Sequence, residues 1–142
     1  MIVYVDMVAD LFHYGHVNFL RITYNKYIKN TNNKLYIGIH NDDTVKSYKR
    51  TPVLNMEERI NVIKSCKYID KIIPNAPLKI TEEYIKKYNI NIICIPNNRE
   101  KNEIKEWYKN ISHLNIKFKK IPYSNSISTS EIIKRIKNRE DL

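Results

Sequence analysis

The sequence predicts an α/β fold: a Rossmann-like parallel sheet with helices on both faces, in a single domain. Three observations carry this reading. Short apolar, β-branched runs alternate with stretches of helical periodicity, the order expected of a parallel sheet with crossover helices. The chain has 142 residues, the size of one compact domain, and 42% hydrophobic with 28% charged residues is an ordinary globular balance. No internal repeat or flexible linker divides it.

The elements follow in order. Residues 2–5 form a short apolar strand. Val17, Leu20, Tyr24, Tyr27 and Ile28 recur at helical spacing and predict a helix from about residue 16 to 29. Residues 35–39 form a second buried strand, and 56–66 a helix with Met56, Ile60 and Ile63 on one face. A third strand at 70–73 ends at Pro74. Thr81 caps a helix that reaches Tyr88. A fourth strand at 90–95 is closed by Pro96, a polar helix covers about 100–110, and a fifth strand lies near 116–121. Ser128 caps a last helix, with Glu131 three residues on to complete a capping box. Ligands in such folds bind outside the carboxyl ends of the strands, so the chemistry is expected in the loops that lead into helices.

Composition narrows the function classes. No apolar run approaches the roughly 18 residues of a membrane helix, so no stable membrane insertion is expected. The first residues lack a basic region followed by a long apolar run, so no signal peptide is expected and a cytoplasmic location follows by default. Cys66 and Cys94 sit in apolar patterns and read as buried thiols. The net charge of +10 suits polyanionic ligands. It comes without a like-charge block or an arginine stripe, so no nucleic-acid partner is expected.

The chain contains two glycines, Gly15 and Gly38. Gly15 lies in Asp10-Leu11-Phe12-His13-Tyr14-Gly15-His16, after the first strand and at the start of the first helix. Free amides at a helix N-terminus attract phosphate, and a glycine there permits close approach of a ligand. Two imidazoles beside it can donate to phosphate oxygens, which suits a reaction that builds negative charge on phosphorus. His16 falls at the helix start, outside the core pattern.

These residues resemble the cytidylyltransferase family of choline-phosphate, ethanolamine-phosphate and glycerol-3-phosphate enzymes. His13-Tyr14-Gly15-His16 is similar to its His-x-Gly-His signature, and the longer stretch from Asp10 resembles the choline and ethanolamine branch. The resemblance continues through Gly38-Ile39-His40-Asn41-Asp42-Asp43, Lys49-Arg50-Thr51-Pro52-Val53, Met56-Glu57-Glu58-Arg59, the stretch from Cys66 to Pro77, and Ile127-Ser128-Thr129-Ser130-Glu131. It implies transfer of CMP from CTP to a small alcohol phosphate, with Mg²⁺ accompanying the CTP, in a homodimer. It implies catalytic roles for His13, His16 and Lys49. Nucleotide contacts would fall on Val8, Ala9, Asp10, Gly15, Arg59, Asn97, Asn98, Ser128, Thr129 and Ser130, and substrate contacts on Asp10, Lys49 and Tyr123. No residue set is assigned to a metal.

The sequence also departs from the family pattern. Met7 and Ala9 stand where the family has Gly and Phe. Pro96-Asn97-Asn98-Arg99 replaces a segment with two carboxylates, and amides donate as well as accept. Tyr123-Ser124-Asn125-Ser126 replaces a segment that begins with a phosphate-binding arginine, a charge that Arg50 or Lys120 could supply. Leu78 stands where choline enzymes carry an aromatic residue; Tyr123 or Trp107 could compensate. Two other readings therefore stay open: adenylyl transfer, and nucleotide binding without efficient catalysis.

Overall fold

The computed structural model describes residues 1–123 and 126–142. Five parallel strands, β1 (Ile2–Met7), β2 (Lys34–Ile39), β3 (Lys71–Pro74), β4 (Ile90–Pro96) and β5 (Lys117–Ile121), lie in the order β3-β2-β1-β4-β5. The helices are α1 (Tyr14–Tyr27), α2 (Asp42–Lys46), α3 (Met56–Ile63), α4 (Glu82–Tyr88), α5 (Lys101–Tyr108) and α6 (Thr129–Lys137). A 3-10 turn at Lys109–Ile111 follows α5.

The pleat of the sheet sorts its side chains into two cores. Val3 and Val5 of β1 and Leu35, Ile37 and Ile39 of β2 pack with Phe19 and Leu20 of α1 and Ile63 of α3. Tyr4 of β1 and Ile93 and Ile95 of β4 pack with Ile85 of α4 and Trp107 and Tyr108 of α5. Helices thus cover both faces, as the alternating pattern predicts. Gly38 is set by this packing: a Cβ there would overlap the Tyr4 hydroxyl, which bonds the Tyr84 hydroxyl at 3.0 Å.

The element ends differ from the sequence reading where side-chain bonds decide them. α1 begins at Tyr14, two residues early, because His13 caps it. α3 stops at Ile63 instead of running to Cys66. The short helix α2, which periodicity over five residues cannot reveal, is capped by Asn41. Ser128 accepts from Glu131 N–H as expected, but the Glu131 carboxylate lies 3.6 Å from Arg135 instead of closing the box. A complete box forms instead at α3, between Asn55 and Glu58. Cys94 is buried and Cys66 partly so, both as free thiols. No helix among the described residues is long and apolar enough to cross a membrane.

The strand order reverses at β1, between β2 and β4. Such a reversal opens a crevice at the carboxyl ends of the strands. A cavity of about 390 Å³ lies there, walled by the end of β1, the end of β4 and the start of α6. That volume is in the range of small-molecule sites.

Candidate functional site

One wall of the cavity is the start of α1. His13 is its N-cap, and its Nδ1 accepts Gly15 N–H at 3.0 Å. His16, three residues on, returns a bond in which its Nδ1 accepts His13 N–H at 3.1 Å. The two histidines thus form a reciprocal capping box. A ring nitrogen that accepts carries no proton, so each neutral imidazole must carry its proton on Nε2. Thr129 Oγ1 donates to Asp10 O at 2.9 Å and lies 3.4 Å from His13 Nε2, where it accepts. Burial, the nearby His13 and then Lys49 push the His16 pKa down to about 3, and burial lowers that of His13. Both rings are therefore neutral donors near pH 7. His16 is only 8% exposed, which corrects its placement outside the core pattern. Its ring stacks on Phe12 with 5.4 Å between centroids.

Gly15 is required by this packing. A Cβ would come within 2.8 Å of the His13 ring and 3.1 Å of the Tyr123 hydroxyl. The loop before α1 is also held in an unusual shape. Ala9 and Leu11 have φ of 58° and 48°, a left-handed conformation that non-glycine residues adopt at a cost of roughly 1–3 kcal/mol. Those two turns aim Asp10 away from solvent. Its carboxylate accepts Val53 N–H at 2.7 Å and Leu54 N–H at 2.9 Å. Asp10 thus fastens the segment after Lys49 and Arg50 to the β1 loop.

Lys49, Arg50, Ser128, Thr129 and Ser130 line the same cavity. Arg50 donates to Ser130 Oγ at 3.1 Å, so it joins the start of α6 to the lysine segment. Desolvation in the cleft and the charge of Arg50 lower the Lys49 pKa. The opposite wall is built from residues far apart in sequence. Asp6, at the end of β1, is 4% exposed. Its Oδ1 accepts from Arg99 at 3.2 Å, and its Oδ2 is buried without a hydrogen-bond partner among the described residues. Arg99 also donates to the Tyr108 hydroxyl at 2.9 Å and lies 5.1 Å over the Trp107 ring.

A crevice at the switch point that carries Lys49 and Arg50, beside a helix start whose His16 lines it as a neutral donor, suits phosphate-transfer chemistry. The cytidylyltransferase-like family model matches residues 7–135. The chain belongs to the cytidylyltransferase-like family. It is 32% identical over 140 residues to choline-phosphate cytidylyltransferase 2 of Arabidopsis thaliana, covering 94% of this chain and 44% of that protein. It is 32% identical over 138 residues to ethanolamine-phosphate cytidylyltransferase of Dictyostelium discoideum, covering 94% and 36%. The chain therefore spans less than half the length of these curated relatives. The lipopolysaccharide core biosynthesis protein of Thermoplasma volcanium shares the fold, with a TM-score of 0.70 at 16% identity over 88% of this chain and 98% of that one.

Within this cytidylyltransferase-like frame, the residues expected at the site separate into two groups. Val8, Ala9, Asp10, His16, Lys49, Asn98, Tyr123, Ser128, Thr129 and Ser130 line the cavity. His13 and Gly15 stand immediately behind it in the α1 cap. Arg59 lies elsewhere. It is fully buried, and its guanidinium donates to Leu54 O, Val8 O, His40 O and Asp42 Oδ1 at 2.6–3.0 Å. These bonds tie together the loops after β1 and β2 and the segment before α3. Asn97 is also committed, accepting Tyr123 N–H at 3.1 Å. Met7 packs on the first core while touching the cavity, and Leu78 packs in the second core. Of the two candidates for the missing arginine charge, Arg50 lies on the cavity and Lys120 is exposed on β5. Ser124 and Asn125 lie outside the described residues. The sequence does not single out Asp6; its one signal is an acid closing an apolar run at the carboxyl end of a central strand.

Proposed function

We propose that this chain transfers CMP from CTP to a small alcohol phosphate, giving a CDP-alcohol and pyrophosphate. The observation that carries the reading is the α1 cap, in which His13 and His16 fix each other's Nε2–H tautomers and His16 lines, as a donor, a cavity that also holds Lys49 and Arg50. A phosphate oxygen of the acceptor attacks the α-phosphorus of CTP. The bond from that phosphorus to the bridging oxygen breaks, and pyrophosphate leaves with the electron pair. The attacking oxygen is already an anion, so no side chain need act as nucleophile or base. His16 donates to the charge developing on the α-phosphate, while Lys49 and Arg50 neutralise phosphates of the two substrates. The start of α6, with the Ser128 hydroxyl, supplies a further donor to phosphate. Catalysis is then positioning plus electrostatic stabilisation.

Mg²⁺ is proposed only as a companion of the triphosphate. Among the described residues no group of three or more His, Cys, Asp or Glu could hold a metal ion. Asp6 Oδ2 is buried, and its carboxylate is already paired with Arg99, which makes it a poor anchor for a divalent cation. No step is routed through the metal. A symmetric homodimer, cytoplasmic and without a nucleic-acid partner, completes the proposal; a light-scattering mass near 17.0 kDa would count against the dimer.

The nucleotide is tested by thermal melting with CTP and ATP. A ligand at 100 times its dissociation constant stabilises the folded state by about 2.7 kcal/mol, enough to separate a strong from a weak binder. CTP is expected to raise the melting temperature more. An equal or larger shift with ATP would favour adenylyl transfer, the second reading, for which Asn98 on the cavity wall is the specific observation. Binding of CTP without turnover of any alcohol phosphate would leave a nucleotide-binding protein.

A further inference from the structure

His13 and His16 share the α1 cap but not the same freedom. Both nitrogens of the His13 ring are engaged: Nδ1 accepts Gly15 N–H at 3.0 Å, and Nε2 faces Thr129 Oγ1 at 3.4 Å. Among the described residues His16 uses only its Nδ1, which accepts His13 N–H at 3.1 Å, and it lines the cavity. The two rings lie against each other, with 3.9 Å between centroids. The Thr129 hydroxyl is fully directed as well. Its one proton goes to Asp10 O at 2.9 Å, which leaves the oxygen facing His13 Nε2–H. These partners stand 119 and 116 residues from Thr129 in the chain. α6 has no buried residue, and its first turn is tied to the rest of the chain through these bonds and the Arg50–Ser130 bond.

We infer that Thr129 is a positioning residue: its hydroxyl holds the His13 ring in the cap, and the His13 ring holds His16 where its Nε2–H meets phosphate. The inference rests on the CMP-transfer reading above and gives the two histidines different work. A hydroxyl has one proton. Thr129 gives it to a carbonyl, so it has none left for a phosphate oxygen. What it presents to His13 is a lone pair, and a neutral imidazole whose Nδ1 accepts has its one N–H at Nε2. At 3.4 Å that bond is long, so its contribution is orientation more than energy. Held at both nitrogens, the His13 ring cannot turn without losing a partner. It is then a fixed neighbour for the His16 ring, which also stacks on Phe12. A donor to a transition state works by being aimed before the reaction, and loosening it lowers the rate without removing a ground-state contact to the nucleotide. Thr129 reaches His13 only while the first turn of α6 is seated on Asp10 O. The seating of the last helix and the aim of the His16 donor are therefore one event.

The test compares Thr129→Val, which keeps nearly the same shape without the hydroxyl, with Thr129→Ser, which keeps the hydroxyl. With CTP and the best alcohol phosphate, Thr129→Val should lower kcat by about tenfold or more, toward the roughly 10²-fold that a small misplacement of a catalytic group can cost. The KM for CTP should stay within about twofold, as expected when only a transition-state interaction is lost. Thr129→Ser should recover most of the loss. A second readout needs no turnover: long-range ¹H–¹⁵N correlation of the imidazoles in the chain without substrate. Wild type and Thr129→Ser should show His13 as the Nε2–H tautomer alone, and Thr129→Val should lose that single signature. If Thr129→Val does not fold by thermal melting, Thr129→Ala takes its place in both measurements. A raised KM for CTP with kcat unchanged would make Thr129 a phosphate ligand and overturns the inference. His13 signals identical in wild type and the valine variant also overturn it. Failure of the wild type to turn over any alcohol phosphate overturns the transfer reading instead, and the His13 signals then decide the inference alone.

Discussion

The two walls of the cavity are built by different routes. The α1 wall is local: His13, Gly15 and His16 are organised by bonds that span two or three residues. The Arg99 wall is assembled by the sheet, since Asp6 and Arg99 are 93 residues apart and meet because β4 pairs beside β1. The local wall orients donors by fixing tautomers. The long-range wall presents a charge balance that only the folded chain has. Function carried by short-range bonds leaves a sequence signature, and function carried by strand order does not.

The largest expected effect lies on the local wall. His16→Ala should reduce turnover by about 10² or more, the scale of one preorganised donor to a transition state. It also removes half of the capping box, so stability should drop by about 1 kcal/mol. Steady-state kinetics beside a denaturant titration separates the two. Near wild-type turnover would place the chemistry on the other wall and break the comparison.

Arg59→Met asks whether that arginine is structural or nucleotide-contacting. It should cost roughly 3 kcal/mol in stability, because three backbone carbonyls, one buried and two partly buried, lose a charged donor. CTP affinity should fall only as far as the loops loosen. Unchanged stability with lost CTP binding would return Arg59 to the nucleotide site.

Much of this molecule is legible in its sequence. The five strands, the crossover helices and the single domain follow from periodicity, and the α1 motif follows from a glycine between two histidines in a chain with two glycines. Three features are not. α2 is too short to show a period. The left-handed turns at Ala9 and Leu11 oppose the local preference of both residues, so only tertiary bonds to Asp10 reveal them. The structural role of Arg59 is hidden because a lone arginine in sequence shows its charge and not its four acceptors.

The pH dependence of stability sharpens the account of the local wall. His16 has a folded pKa of about 3 against 6.5 ordinarily, so the unfolded chain binds a proton that the folded chain refuses. The contribution is fully present above about pH 6.5 and is lost as pH falls toward 3. Within that window the slope approaches about 1.4 kcal/mol per pH unit. Urea titrations from about pH 7 to 4 should show this loss, and His16→Ala should flatten it. A wild-type curve flat over that range would mean His16 titrates normally and is not the neutral donor proposed.

The smallest expected effect lies at the seam between the walls, in the Asn97–Asn98 pair. The two neighbours have different surroundings. Asn97 Oδ1 accepts Tyr123 N–H and fixes the exit from β4, while Asn98 lines the cavity. Asn97→Asp keeps an acceptor at the same place, so its CTP kinetics should stay within about twofold and its stability within about 0.5 kcal/mol. Asn98→Asp exchanges an amide that both donates and accepts for a carboxylate that only accepts. If the nucleotide uses that amide, the Michaelis constant for CTP should change several-fold, about 1 kcal/mol for one hydrogen bond gained or lost. The ratio of CTP to ATP binding should move with it. The discriminating result is the inequality between the two single variants, measured under identical conditions. Equal effects would show that the pair acts through the turn, and the nucleotide would then be read by the α1 wall and the lysine segment alone.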